Sequence, residues 1–128
     1  MRNRSEGIEK YLIHLKSDLL VKEVSIELIR HLSPITIERL YRSLPVLGMV
    51  VRDNNILYIA APIETRIEKP RTRLRKGHVA YSPAKKMLII VLEDVKLNES
   101  VNSLGRVVEG FEELVKLRTG HRVRLDKE

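Results

Sequence analysis

The apolar residues of this chain come in short runs of period two. That spacing restricts the fold more than any other feature. Tyr11, Ile13 and Leu15 alternate with Leu12, His14 and Lys16. Successive side chains of a strand point to opposite faces, so a run of this kind has one face to bury. Val46–Val51 and Ile56–Ala61 read as two more strands, and Arg52-Asp53-Asn54-Asn55 between them has hairpin-turn composition. Gly77–Tyr81 and Met87–Leu92 are apolar and β-branched, separated by Ser82-Pro83-Ala84-Lys85-Lys86, and predict central strands. His121, Val123 and Leu125 alternate with Arg122 and Arg124 and predict a last strand.

Period 3.6 is rarer. Ser33-Pro34 starts a helix, with serine as N-cap and proline in the first turn. Ile37, Leu40, Tyr41 and Leu44 form its apolar stripe, and Pro45 stops it. Val21–Ile29 fits either period, and its β-branched content favours a strand. Pro62–Lys76 is polar, basic and proline-containing, and reads as a long loop with room for a short edge strand. Val95–Ser103 reads as a connection. Val107, Val108, Phe111, Leu114 and Val115 suit a second helix, although Gly110 in its middle would cost about 1 kcal/mol relative to alanine. Six or seven strands with one or two helices, and no βαβ alternation, predict a small antiparallel barrel or sandwich.

Composition sets the limits of such a domain. The 128 residues suit one domain, read as a flexible segment over 1–10 and a body over 11–128. The 12 Ile, 18 Leu and 13 Val can fill one core without disulfides, and there is no cysteine to make any. Thiol catalysis and cysteine zinc sites are excluded with it. No stretch approaches the roughly 20 apolar residues of a membrane helix. Met1–Lys10 is too polar for a secretory leader, so the cytoplasm is the expected compartment and no membrane partner is expected.

Little in the chain carries catalytic chemistry. Six scattered glycines make no phosphate loop. His14, His31, His78 and His121 lack metal-ligand spacing, so neither metal nor cofactor is expected. Glu93-Asp94 and Glu112-Glu113 are sequence neighbours whose side chains diverge. Charge is the exception. The formal net charge is +7, and residues 66–76 contribute +5 of it through Arg66, Lys69, Arg71, Arg73, Arg75 and Lys76 against Glu68. An extended backbone would put Arg71, Arg73 and Arg75 on one face. Such a face is either an anion site or an edge strand protected from pairing. Nucleic acid is an admissible partner but not the favoured one, because no aromatic residue is interleaved to stack bases.

From Gly77 onward the chain resembles the C-terminal half of a cyclophilin-type domain. The resemblance rests on Gly77-His78-Val79-Ala80-Tyr81-Ser82-Pro83, on Lys85–Leu92, and on Leu104-Gly105-Arg106-Val107-Val108-Glu109-Gly110-Phe111-Glu112-Glu113-Leu114-Val115. Cyclophilins carry Phe-Gly-x-Val-x-Glu-Gly-Met-x-x-Val at the last block, with Leu104 here for the Phe and Phe111 for the Met. The Gly-x-Val-x-Tyr-x-Pro run and the short length are closer to small cyclophilin-like proteins of archaea and bacteria, whose function is unknown. The likeness covers Ala61–Leu125 closely and Tyr11–Ala60 only in the order of elements.

The resemblance implies a closed barrel of about eight strands with two short helices. Val21–Ile29 would then be a strand, and Arg106–Glu109 a strand leading into a helix near Gly110. It also places Tyr81–Lys86 beside the ligand cleft, so that Tyr58, Tyr81, Ser82 and Lys85 would line a pocket with Arg66 opposite.

The isomerase residues of that family are missing. There is no Phe-His-Arg run, and Arg66 is the nearest arginine by position. Leu88, Ile90 and Val101 stand where the family has Gln, Phe and His, and Trp is absent. The expected function is a binding module for a small anionic ligand or peptide. A weak prolyl isomerase and a nucleic-acid accessory protein using 66–76 are the alternatives.

Overall fold

The computed structural model describes residues 9–128. Residues 1–8 of the expected flexible segment lie outside the described residues, and β1 begins at Lys10. Alternation decides the architecture. In β1 (Lys10–Lys16), Ile13 and Leu15 are fully buried while the terminal lysines are exposed. β2 (Val24–Ile29), β3 (Val46–Asp53), β4 (Ile56–Ala60), β6 (His78–Ser82), β7 (Met87–Val91) and β9 (Arg122–Lys127) likewise turn one face inward. They pair antiparallel around a ring, β2-β1-β9-β3-β4-β7-β6-β8, and β8 (Val95–Glu109) closes it by pairing with β2. The expected barrel of about eight strands is therefore present, with β5 (Pro70–Leu74) as a ninth strand attached outside the ring.

Helix α1 (Pro34–Ser43) plugs the barrel with Ile37 and Leu40, and the one-turn α2 (Phe111–Leu114) contributes Leu114. Gly110 joins β8 to α2 with φ +81°, a left-handed conformation that a side chain would strain. The alternative of one helix over residues 107–115 is thus corrected: Val107 and Val108 belong to β8.

A second correction concerns Val95–Ser103. Read as a connection, it is the first half of the 15-residue β8. Polar Asn98, Glu99 and Ser100 obscured its alternation because they sit where the β5–β8 register slips, from Arg71 opposite Val101 to Arg73 opposite Lys96. This half of β8 and β5 form a flap over the outside of β6 and β7. Leu74, Leu97 and Val101 on the flap pack against Ala80, Ile89 and Val91, which point out of the barrel. Fully burying each Leu or Val contributes roughly 1.5–3 kcal/mol, enough to hold the flap down.

Candidate functional site

Two features position the flap and the segment leading into it. Asn102 is fully buried, and its amide oxygen and both amide hydrogens are hydrogen-bonded. Its Oδ1 accepts from the Glu68 N–H at 2.8 Å, and its Nδ2 donates to Thr36 Oγ1 at 2.9 Å and to the Arg66 carbonyl at 2.8 Å. The Glu68 carboxylate in turn accepts from the amides of Ile35 at 3.0 Å and Thr36 at 2.7 Å. So Glu68 caps α1. Ser33 begins the helix as expected, but its hydroxyl makes no cap bond and donates to the Ser103 carbonyl at 2.7 Å.

The residues expected around a cleft near Tyr81 divide into three groups. Tyr81 is fully buried, donates to the Ala61 carbonyl at 2.8 Å and accepts from the Ile63 amide. Burial is the main cause that raises its phenol pKa. Ser82, Lys85 and Tyr58 do come together, around Glu99. Ser82 Oγ donates to Glu99 at 2.8 Å, Lys85 forms an ion pair with the same carboxylate, and the Lys85 ammonium lies 6.0 Å from the Tyr58 ring centroid. The Glu99 hydrogen bond is the main cause that raises the Lys85 pKa. The Arg66 side chain is exposed, and its backbone carbonyl is held by Asn102.

The basic segment is arranged differently. Leu74 points into the outer cluster, while Arg71, Arg73 and Arg75 are exposed. These three arginines, with Lys96, Asp94, Leu74 and Val95, line a cleft of about 560 Å³. Asp94 is turned to the backbone, accepting from the Lys76 N–H at 2.8 Å. Among the described residues, none of Arg66, Lys69, Arg71, Arg73, Arg75, Lys76 and Lys96 has an acidic partner within 4.0 Å. Elsewhere ten Lys and Arg side chains are paired, as in Lys22 with Glu112, Lys86 with Glu64 and Arg124 with Asp126, while Arg39, Arg52, Arg118, Arg122 and Lys127 likewise have no acidic partner among the described residues.

Arg75 also borders a second hollow of about 320 Å³, lined by Ile29, Leu32, Lys76, His78, Arg106 and Val107 as well as Gly77 and Gly105. His78 Nε2 shares a 2.8 Å hydrogen bond with Ser103 Oγ. Burial, and then the Arg71 charge, lower its pKa, so the imidazole is neutral at pH 7. Sequence reading missed Lys96, His78 and Arg106 as site residues. His78 and Arg106 are cross-strand partners between β6 and β8, a neighbourhood that no local spacing announces.

Comparison with known proteins agrees with this architecture. A hypothetical protein from Archaeoglobus fulgidus, known in solution, superimposes with a TM-score of 0.78 at 19% identity, covering 94% of this chain and 96% of that one. McbB in complex with tryptophan superimposes with a TM-score of 0.71 at 19% identity, covering 91% of this chain and 44% of McbB. No curated protein matches the sequence. Among the described residues no helix is long and apolar enough to cross a membrane. The family model for cyclophilin-like proteins matches residues 13–126, and the chain belongs to that family.

Proposed function

We propose that this chain is a binding module for a small anionic ligand, held by Arg71, Arg73, Arg75 and Lys96 on the β5 flap. One observation carries the reading: Arg71, Arg73, Arg75 and Lys96 line one cleft, and among the described residues none of them has an acidic partner within 4.0 Å. Guanidinium groups match carboxylate and phosphate oxygens two at a time. Although the β5–β8 register slips between Arg71 and Arg73 and Arg75 lies just past β5, all three arginines line one cleft and so are within reach of one ligand. Leu74 and its neighbours anchor that backbone, which lowers the ordering cost of binding. McbB, of which the match covers 44%, shares this fold in that part and has been solved in complex with tryptophan.

The isomerase reading has less support. Arg66 is exposed, and the aromatic cleft that would hold a proline ring has no counterpart in Leu88, Ile90 and Val101, all buried aliphatics. The nucleic-acid reading lacks an aromatic side chain in the basic cleft.

Thermal-shift titration with citrate and tripolyphosphate at 0.15 M salt tests the proposal. Saturable stabilisation is expected, and it should be lost when Arg71, Arg73 and Arg75 become alanine. Equal stabilisation of wild type and the triple variant, or none in either, overturns it.

A further inference from the structure

The basic cleft and the second hollow meet at Arg75, and the two have different linings. The cleft is walled by arginines. The hollow has an apolar floor of Ile29, Leu32 and Val107, with cations on its rim at Arg75, Lys76 and Arg106. Arg106 is shared, its Nε 3.5 Å from a Glu27 carboxylate oxygen. Lys76 is positioned by Phe111, whose ring centroid lies 5.4 Å from the ammonium. Arg75 and Lys76 are therefore the rim cations free to take a ligand. Neutral His78 also lines the hollow and adds a flat, uncharged surface.

A small hydrophilic anion would satisfy the rim and leave the floor wet. A neutral apolar molecule would cover the floor and leave the rim cations unpaired. Only a ligand with both parts uses the whole surface, and about 320 Å³ is at the small end of ligand pockets. We infer that the ligand is an amphiphilic carboxylate. Its head group sits at Arg75, where the arginine cleft meets the hollow, with Lys76 beside it, and its compact aryl or short acyl body lies over Ile29, Leu32 and Val107. This inference rests on the anion-binding reading of the flap and adds the second half of the ligand.

Calorimetric titration of the full chain with acetate, butyrate, hexanoate and 3-phenylpropionate tests it, with 3-phenylpropanamide as the uncharged control and citrate as the purely hydrophilic one. Affinity should rise along the acid series, by up to about fourfold for each fully buried methylene. The amide should bind at least tenfold more weakly than its acid. Leu32→Glu, on the half-exposed turn before α1, should abolish the dependence on body size and leave citrate binding intact. Arg75→Glu gives a second variant with no packing role, and it should weaken 3-phenylpropionate at least tenfold. Equal affinity for acetate and 3-phenylpropionate, or for acid and amide, overturns the inference while citrate binding keeps the anion site. Failure of every anion, citrate included, overturns both.

Discussion

Gly105 of β8 lies directly against the backbone carbonyl of Glu27 in β2, at the seam where the barrel closes. A Cβ built at position 105 would overlap the Glu27 oxygen and lie 2.9 Å from its carbonyl carbon. The seam therefore tolerates no side chain there. Gly105→Ala must push β8 from β2 or break their pairing, and neither obstacle is a flexible side-chain end that could swing away. We expect a loss of about 3 kcal/mol or more, at the upper end for overpacking. Urea unfolding monitored by far-UV circular dichroism checks it, and a change under 1 kcal/mol would contradict the seam geometry.

Asn102→Leu tests how the basic segment is tied to the barrel. The substitution keeps the volume but leaves the Glu68 amide and the Arg66 carbonyl without their partner, and Thr36 Oγ1 with Thr65 Oγ1 alone. Buried polar groups left unpaired cost about 1–3 kcal/mol each, reduced where loop movement lets water in. A net loss of about 2–4 kcal/mol is expected. Amide hydrogen exchange at Glu68 should accelerate by at least tenfold more than exchange in β1, which the network does not touch.

The barrel was legible because its strands carry one buried and one exposed face, as in Ile13 and Leu15 against Lys10 and Lys16. The first half of β8 was not, since of its apolar side chains only Leu97 and Val101 are buried and its alternation breaks at a register slip. Tyr81 is expected to line a pocket, yet its parity directs it into the core, where it is fully buried. For the site, the charge of 66–76 and the alternation of Arg71, Arg73 and Arg75 are read from the sequence alone, and the three do line one cleft. The groove did not, because Ile29, His78 and Arg106 come from three strands and meet only through the pairing of β2 and β6 with β8.

Glu68 shows the same contrast at α1. The N-cap signal at Ser33 marks the right place, but the capping oxygen comes from 35 residues downstream. Glu68→Ala removes acceptors from two first-turn amides and a negative charge from a helix N-terminus. About 1–2 kcal/mol should be lost by urea unfolding. Ser33→Ala, in contrast, removes one buried hydrogen bond to the Ser103 carbonyl and should cost about 1 kcal/mol without faster exchange at Ile35 and Thr36. Faster exchange in Ser33→Ala alone would reverse the assignment.

His78 gives the fold a pH dependence whose sign is fixed. Burial first, and Arg71 second, hold its pKa below the ordinary histidine value near 6.5. Between the two values the unfolded chain binds more protons than the folded one, so this contribution to stability rises with pH. It is complete above about pH 6.5 and is lost as the pH falls through the unfolded value towards the folded one. His78→Gln should flatten the stability profile between about pH 7.5 and 5. Arg71→Ala should raise the His78 pKa in an NMR titration, since it removes the repelling charge. An unchanged His78 titration in Arg71→Ala would show that burial alone sets the shift.

The unpaired flap also predicts a dependence of stability on salt. Arg71, Arg73 and Arg75 repel one another and Lys96, and Asp94, which lines the same cleft, forms no ion pair within 4.0 Å with any of them. Leu74 anchors the strand, so replacing the three exposed arginines removes repulsion and little packing. At 0.01 M salt, where screening extends over about 30 Å, the triple alanine variant should be as stable as wild type or more stable, by up to about 1 kcal/mol. At 1 M salt, with a screening length of about 3 Å, the difference should vanish. A bound anion should reverse the order, because it stabilises only the chain that retains the arginines. Urea midpoints at the two salt concentrations, with and without citrate, separate these cases. If the triple variant is the less stable at 0.01 M salt without ligand, the arginines hold the flap through contacts of their own and are not waiting for an anion.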